Sequence, residues 1–234
     1  MLDIAHMLKK SRDGVAPGEY YHVYNRGTRR NALFLDKGDY QRFLFGILYL
    51  QSPTAFKNVA RTCARYSPDL GFPVSEEEVQ EILKTRFVEL TAFALMPNHF
   101  HLLVKETEEG GIANYMHRVS HGYSKYFGEK HKQSGHLFEG KYKAVRVKDD
   151  RHLLYLSAYI HRNPRALDQW KAREFDYPYS SLTDFTTANR WGGLIAPDII
   201  TGQFEQTKES NYSDFVKTST AKLLEEELGM PLPD

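Results

Sequence analysis

Strand, helix, strand, strand, helix, strand, helix is the order of elements spelled out by the sequence, and it predicts an α+β fold. The expected form is a ferredoxin-like sandwich, with helices on one face of a four-stranded antiparallel sheet. Three observations carry this expectation. Runs rich in Tyr, Val and Phe with strand-like alternation stand at 19–26, 87–96, 99–105 and 142–148. Stretches with apolar residues at helical spacing stand at 39–51, 112–128 and 151–163. Clusters of Gly, Pro, Asn and Asp separate the two kinds of run.

Each element has its own local cause. EYYHVYNR (19–26) ends at Gly27, a strand followed by a turn. DYQRFLFGILYLQ (39–51) is helical, with its start marked by Asp36 or Lys37-Gly38 and its stop by Pro53. Residues 52–86 look like an insertion with turn formers at Ser67-Pro68, Gly71 and Pro73. Its acidic helical piece begins at Ser75 with Glu78 three residues on, the spacing of a capping box. FVELTAFALM and HFHLLVK flank Pro97-Asn98, which predicts a β-hairpin. IANYMHRVSHGYSKYFG (112–128) is helical, residues 129–141 form a basic loop, and YKAVRVK (142–148) is a strand. Asp149-Asp150 cap a helix that runs to about Asn163 and meets Pro164. The expected organisation is a leader over 1–18, one domain over 19–185 and a C-terminal extension over 186–234. Tyr177 to Ser181 is expected as loop, and 213–228 as a terminal helix.

Composition narrows the function classes. The 234 residues are 41% hydrophobic and 26% charged, enough for one compact domain with appendages. Cys63, the single cysteine, excludes an internal disulfide and a cysteine-based zinc site. No stretch approaches the roughly 20 apolar residues of a membrane span, and the first residues hold no signal-peptide core, so a soluble, cytoplasmic protein is expected. A net charge of +1 leaves the question of nucleic acid to the distribution of charge.

Three features carry chemistry. His99-Phe100-His101 lies on a predicted strand, where alternation points both imidazoles to one face and Phe100 to the other. Such a pair suits a metal ion and equally suits two hydrogen-bonded surface histidines. Tyr155, Tyr159 and Asn163 are spaced four apart and share a helix face. A tyrosine hydroxyl has a pKa near 10 and becomes a useful nucleophile where a cation stabilises the developing charge. Asn163 fits either a third ligand or a helix cap before Pro164. Finally, Arg118, Lys125, Lys130, Lys132, Lys141, Lys143, Arg146, Lys148 and Arg151 crowd 117–151 among tyrosines and phenylalanines, and Arg26, Arg29 and Arg30 form a second basic turn. Cations interleaved with aromatics suit a phosphate backbone with unpaired bases.

LMPNHFHLLVK (95–105) resembles the His-hydrophobic-His strand of the single-tyrosine HUH transposases of insertion-sequence type. YHVYNRG (21–27) resembles that family's first strand, and GHLFEGKYKAVRV (135–147) its basic loop and fourth strand. YLSAYIHRNPRAL (155–167) resembles its nucleophile helix, and YPYSS (177–181) the stretch that follows. The flavour is closest to the REP-associated tyrosine transposases, and the resemblance spans about 20–185. It implies that His99, His101 and Asn163 hold Mg²⁺ or Mn²⁺ and that Tyr159 is the nucleophile, with Tyr155 the competing candidate on the same face. It further implies DNA contacts by Arg26, Arg29, Arg30, Arg118, Lys125, Lys141, Lys143 and Arg146. The implied activity is cleavage and rejoining of single-stranded DNA beside hairpins through a 5′-phosphotyrosine, by a monomer or homodimer. Two other classes fit parts of the pattern. One is a hairpin-binding module of the same fold without cleavage. The other is a metal hydrolase with His-x-His on a barrel strand, which needs a longer chain and further His or Asp ligands on successive strands, whereas the histidines after His101 fall mostly in expected helices and loops.

Overall fold

A computed structural model of the chain describes residues 15–205 and 211–228; most of the expected leader lies outside them. The four predicted strands form β1 (Tyr20–Arg26), β2 (Val88–Met96), β3 (His99–Glu106) and β4 (Lys143–Arg146). All pairings are antiparallel, in the order β2-β3-β1-β4. β2 and β3 are the hairpin expected around Pro97-Asn98, with Met96 opposite His99.

Between the strands lie α1 (Lys37–Tyr49), α2 (Val59–Ala64), α3 (Glu76–Thr85), α4 (Gly111–His131) and α5 (Asp150–Arg162). Asp36 caps α1 and shares a capping box with Asp39. The box foreseen at Ser75 and Glu78 starts α3. α4 runs three residues past its expected end at 128, into the expected basic loop. Phe127 packs its ring against His131, and Lys130 and His131 both reach the buried Asp39 of α1, which holds the extra turn in place. At the other end of α4, a Cβ on Gly111 would lie 2.2 Å from the Phe87 carbonyl oxygen, so only glycine lets this helix start against the β2 entrance.

α1 and α4 cover one face of the sheet, over Val23, Leu90, Phe93, Phe100, Leu102 and Val104. This is the sandwich foreseen from the sequence. α5 lies on the other face, over Ala92, Ala94 and Leu103. The expectation of helices on one face alone therefore covers α1 and α4 but not α5. Apolar residues on both sides of β3 are the reason, because each face needs a cover.

Residues 52–86, expected as an insertion, wrap the outer side of α1, where Phe56 and Phe72 meet Phe45 and Tyr49. Residues 177–181 line the outer edge of β2: Leu95 N–H donates to the Tyr179 carbonyl (2.9 Å) and Ser181 N–H to that of Phe93 (3.0 Å). An edge that would template aggregation is thus closed. Beyond it come α6 (Leu182–Thr186), α7 (Asp198–Thr201), α8 (Tyr212–Thr218) and α9 (Ala221–Leu228). The single helix expected over 213–228 is two. Ser219 turns extended, its hydroxyl donating back to the Phe215 carbonyl (2.7 Å), and Thr220 accepts from Leu223 N–H to start α9. Leu224 and Leu228 of α9, and Tyr212 and Val216 of α8, join the core beneath α5. Among the described residues no helix is long and apolar enough to cross a membrane.

Candidate active site: a histidine pair beneath a tyrosine helix

Antiparallel register assigns the side chains of β1, β2, β3 and β4 to faces. Opposite residues share a face, so Ala94, His101, Tyr24 and Lys143 form one row on the α5 side of the sheet, and Met96, His99 and Arg26 form the next. The rings of His99 and His101 stand edge to face at 5.0 Å. Phe100 points the other way and is fully buried in the α1–α4 core, which fixes the strand.

α5 sets its tyrosine over this face. The Tyr159 ring meets His101 edge-on at 5.3 Å. Asn163 caps the C-terminal end of α5, where its Nδ2 donates to the Tyr159 carbonyl (2.9 Å) and its Oδ1 stands 3.4 Å from His99 Nε2. Asn98 holds the other ring nitrogen, His99 Nδ1, at 2.7 Å. Tyr155, one turn back, packs against Phe215 of α8 instead, with the Arg151 guanidinium 5.6 Å from its ring. The structure therefore brings Tyr159, His99, His101 and Asn163 together and leaves Tyr155 apart.

Sequence reasoning missed His22. It lies on β1 with its side chain on the same face, and its Nε2 is 2.8 Å from His101 Nδ1. Strand alternation already puts His22 and Tyr24 on one face, but the partner stands 79 residues away. No local signal links the two.

The electrostatics follow from burial. Desolvation, more than the neighbouring His22 and His99, holds His101 well below the usual histidine range. Burial pushes His22 down to about 3 and lowers His99 as well. Burial also raises the Tyr159 hydroxyl well above its ordinary value, with the Asn163 side chain acting the other way. The imidazoles are neutral at pH 7 and keep a lone pair each. Three buried polar atoms of the cluster have no hydrogen-bond partner: His101 Nε2, His22 Nδ1 and the Tyr159 hydroxyl.

These atoms fit a cation. Two neutral imidazoles and an amide oxygen are ligands for a divalent first-row ion. His99 Nε2 and Asn163 Oδ1 stand 3.4 Å apart, close enough to converge on one ion. A second group, Asp36, Asp39 and His131, also has metal-like spacing. There the Lys130 ammonium already bonds Asp36 (2.6 Å) and Asp39 (2.8 Å), so a resident cation fills the role.

The expected DNA contacts divide by face. Arg26 and Lys143 flank the histidine rows; Arg26 pairs with Glu139, and Lys143 stands 5.8 Å from the Tyr24 ring. Arg29 and Arg30 are exposed in the turn Thr28–Arg30, both with positive φ. Lys141 lies on a cleft of about 500 Å³ between α4 and β4. Arg146 sits opposite Tyr21, on the α1–α4 side, and pairs with Glu19 (2.8 Å). Arg118 and Lys125 are on α4. Lys125 is exposed, whereas Arg118 donates to the Thr54 carbonyl (2.6 Å).

No curated protein matches the chain. A solved structure described as "Structure of the REP associates tyrosine transposase bound to a REP hairpin" aligns with a TM-score of 0.49 and 13% identity, over 79% of this chain and 89% of that one. The model of the family described as "Transposase IS200 like" matches residues 73–163. That stretch holds the histidine strand, the tyrosine helix and Asn163, and through it the chain is similar to the IS200-like transposases.

Proposed function

We propose that the protein is a transposase-type endonuclease that cleaves and rejoins single-stranded DNA beside hairpins, using Tyr159 as nucleophile. One observation carries the reading. The Tyr159 ring stands edge-on to His101, the Tyr159 hydroxyl and His101 Nε2 are both buried without hydrogen-bond partners, and Asn163 ties the same helix to His99. Unpaired buried polar atoms are costly, and a cluster of them with shifted pKa values marks a site built for something else to enter.

In this mechanism His99, His101 and Asn163 would hold Mg²⁺ or Mn²⁺. When bound, the ion supplies positive charge against the scissile phosphate and the charge that develops on it. Arg26 and Lys143 bind the flanking backbone and set its direction across the two histidine rows. α5 orients the Tyr159 oxygen for in-line attack on phosphorus. The new P–O bond to tyrosine forms as the bond to the 3′ oxygen breaks. The tyrosine proton is lost, and the departing oxygen takes up a proton to leave as a 3′-hydroxyl. A 3′-hydroxyl from another end reverses the step, so cleavage and joining share one site and no nucleotide triphosphate is consumed. Tyr159 packs on histidines of its own chain, the arrangement of a site complete within one subunit, whether the protein is a monomer or a homodimer.

The test is a denaturing gel. The chain is incubated with labelled single-stranded hairpins from the flanks of its own gene and Mn²⁺, beside a chelated sample and Tyr159→Phe. A detergent-resistant DNA–protein band is expected in the wild type with ion alone. The same band in Tyr159→Phe would overturn the assignment. Tight native binding with no band from any hairpin would favour a recognition module without cleavage.

A further inference from the structure

Beneath the expected ligands lies His22, a histidine that the chemistry above does not use. It is 2% exposed on β1, wedged between Tyr24 (ring centroids 4.7 Å) and His101 (5.0 Å, near-parallel), with the Tyr159 ring edge-on at 5.9 Å. Its Nε2 meets His101 Nδ1 at 2.8 Å. Two neutral imidazoles share such a contact only if one donates and the other accepts. If His22 donates, the His101 proton sits on Nε2, and that nitrogen cannot bind an ion. If His101 donates from Nδ1, its Nε2 carries the lone pair, and the His22 proton sits on Nδ1. His101 Nε2 is the nitrogen left without a protein partner.

We propose that His22 is the positioning residue of His101: it accepts the Nδ1 proton and so holds the ring in the one tautomer and orientation that lets Nε2 ligate. This inference rests on the metal-assisted reading above. It also adds to it. Ligand histidines commonly donate their second nitrogen to a carboxylate, carbonyl or water. Here the acceptor is a neutral imidazole, which lends no negative charge to the ligand. The bound ion would keep more of its positive charge for an incoming phosphodiester, which is itself an anion.

The experiment uses the full chain and two variants. His22→Leu keeps a buried apolar side chain of similar bulk but removes the acceptor. His22→Gln places an amide oxygen near the lost Nε2. Mn²⁺ affinity is read from the electron-spin signal of the free ion, with His101→Ala as control and thermal melts to verify folding. The His101 tautomer is read from long-range proton–nitrogen spectra of the Mg²⁺-loaded protein. His22→Leu is expected to weaken Mn²⁺ binding by about 10- to 100-fold, the usual effect of losing such a partner. His22→Gln should recover most of that loss, and the wild type should carry its His101 proton on Nδ1. Mn²⁺ binding that is present in the wild type and unchanged in His22→Leu overturns the positioning role alone, as does a His101 proton found on Nε2 in the loaded protein. A wild type with no Mn²⁺ site sensitive to His101→Ala overturns the metal reading itself, and this inference with it.

Discussion

His161 sits two residues beyond the nucleophile candidate, and its ring joins a separate buried network. Tyr212 donates to the Ser157 hydroxyl (2.9 Å), and His161 bonds Tyr212 at 2.7 Å and Ser181 at 2.8 Å. Burial lowers its pKa to about 3. The folded value is below the unfolded one, so stability from the neutral ring is full above pH about 6.5 and is lost as pH falls toward the folded value. At pH 5 the loss is about 2 kcal/mol. The urea midpoint should drop between pH 7 and 5, and less steeply in His161→Gln; equal drops would show that this histidine does not stay neutral. At this scale the sequence was legible where the cause was local. His99 and His101 share a face by strand alternation, and Tyr159 and Asn163 by the helical period. His22 and His161 meet partners brought in by register and by the chain end, which no short-range pattern encodes.

The tyrosine helix is held from two directions. Ser181, in the stretch closing the β2 edge, and Tyr212, on α8, both bond His161, and Arg162 donates to the Val216 carbonyl (2.7 Å). Tyr212→Phe would leave the His161 Nδ1 and the Ser157 hydroxyl each short of a partner. A loss of about 1–3 kcal/mol is expected, visible as a lowered melting temperature; an unchanged melt would mean that packing alone holds α8 to α5. Element types and most boundaries were readable from periodicity and caps. The sheet face on which α5 docks was not, because an amphipathic stripe says that a helix is covered without saying by what. The break at Ser219-Thr220 escaped for a related reason: the apolar period runs on through it while two hydroxyls end one helix and start the next.

Over the whole molecule, cations lie on both faces of the sheet, although 117–151 looked like one basic patch in the sequence. Folding splits it, with Lys143 by the histidines and Arg118, on α4, tied to Thr54 on the other side of the sheet. On the proposed reading, the salt dependence of hairpin binding separates their roles. Lys143→Ala should reduce the slope of log affinity against log salt by about one, and Arg118→Ala should leave it unchanged. The reverse result would move the DNA to the α1–α4 side. The unpartnered oxygen of Tyr159 has a consequence for durability as well. A tyrosine hydroxyl held out of water without a well-formed hydrogen bond costs stability. Tyr159→Phe removes that oxygen and leaves the ring packed on His101, so this variant should melt higher than the wild type, by about 1 kcal/mol of added stability. On the proposed reading of Tyr159 as nucleophile, readiness to react and resistance to heat are opposed at a single atom, and selection for a hardier protein would act against that chemistry first.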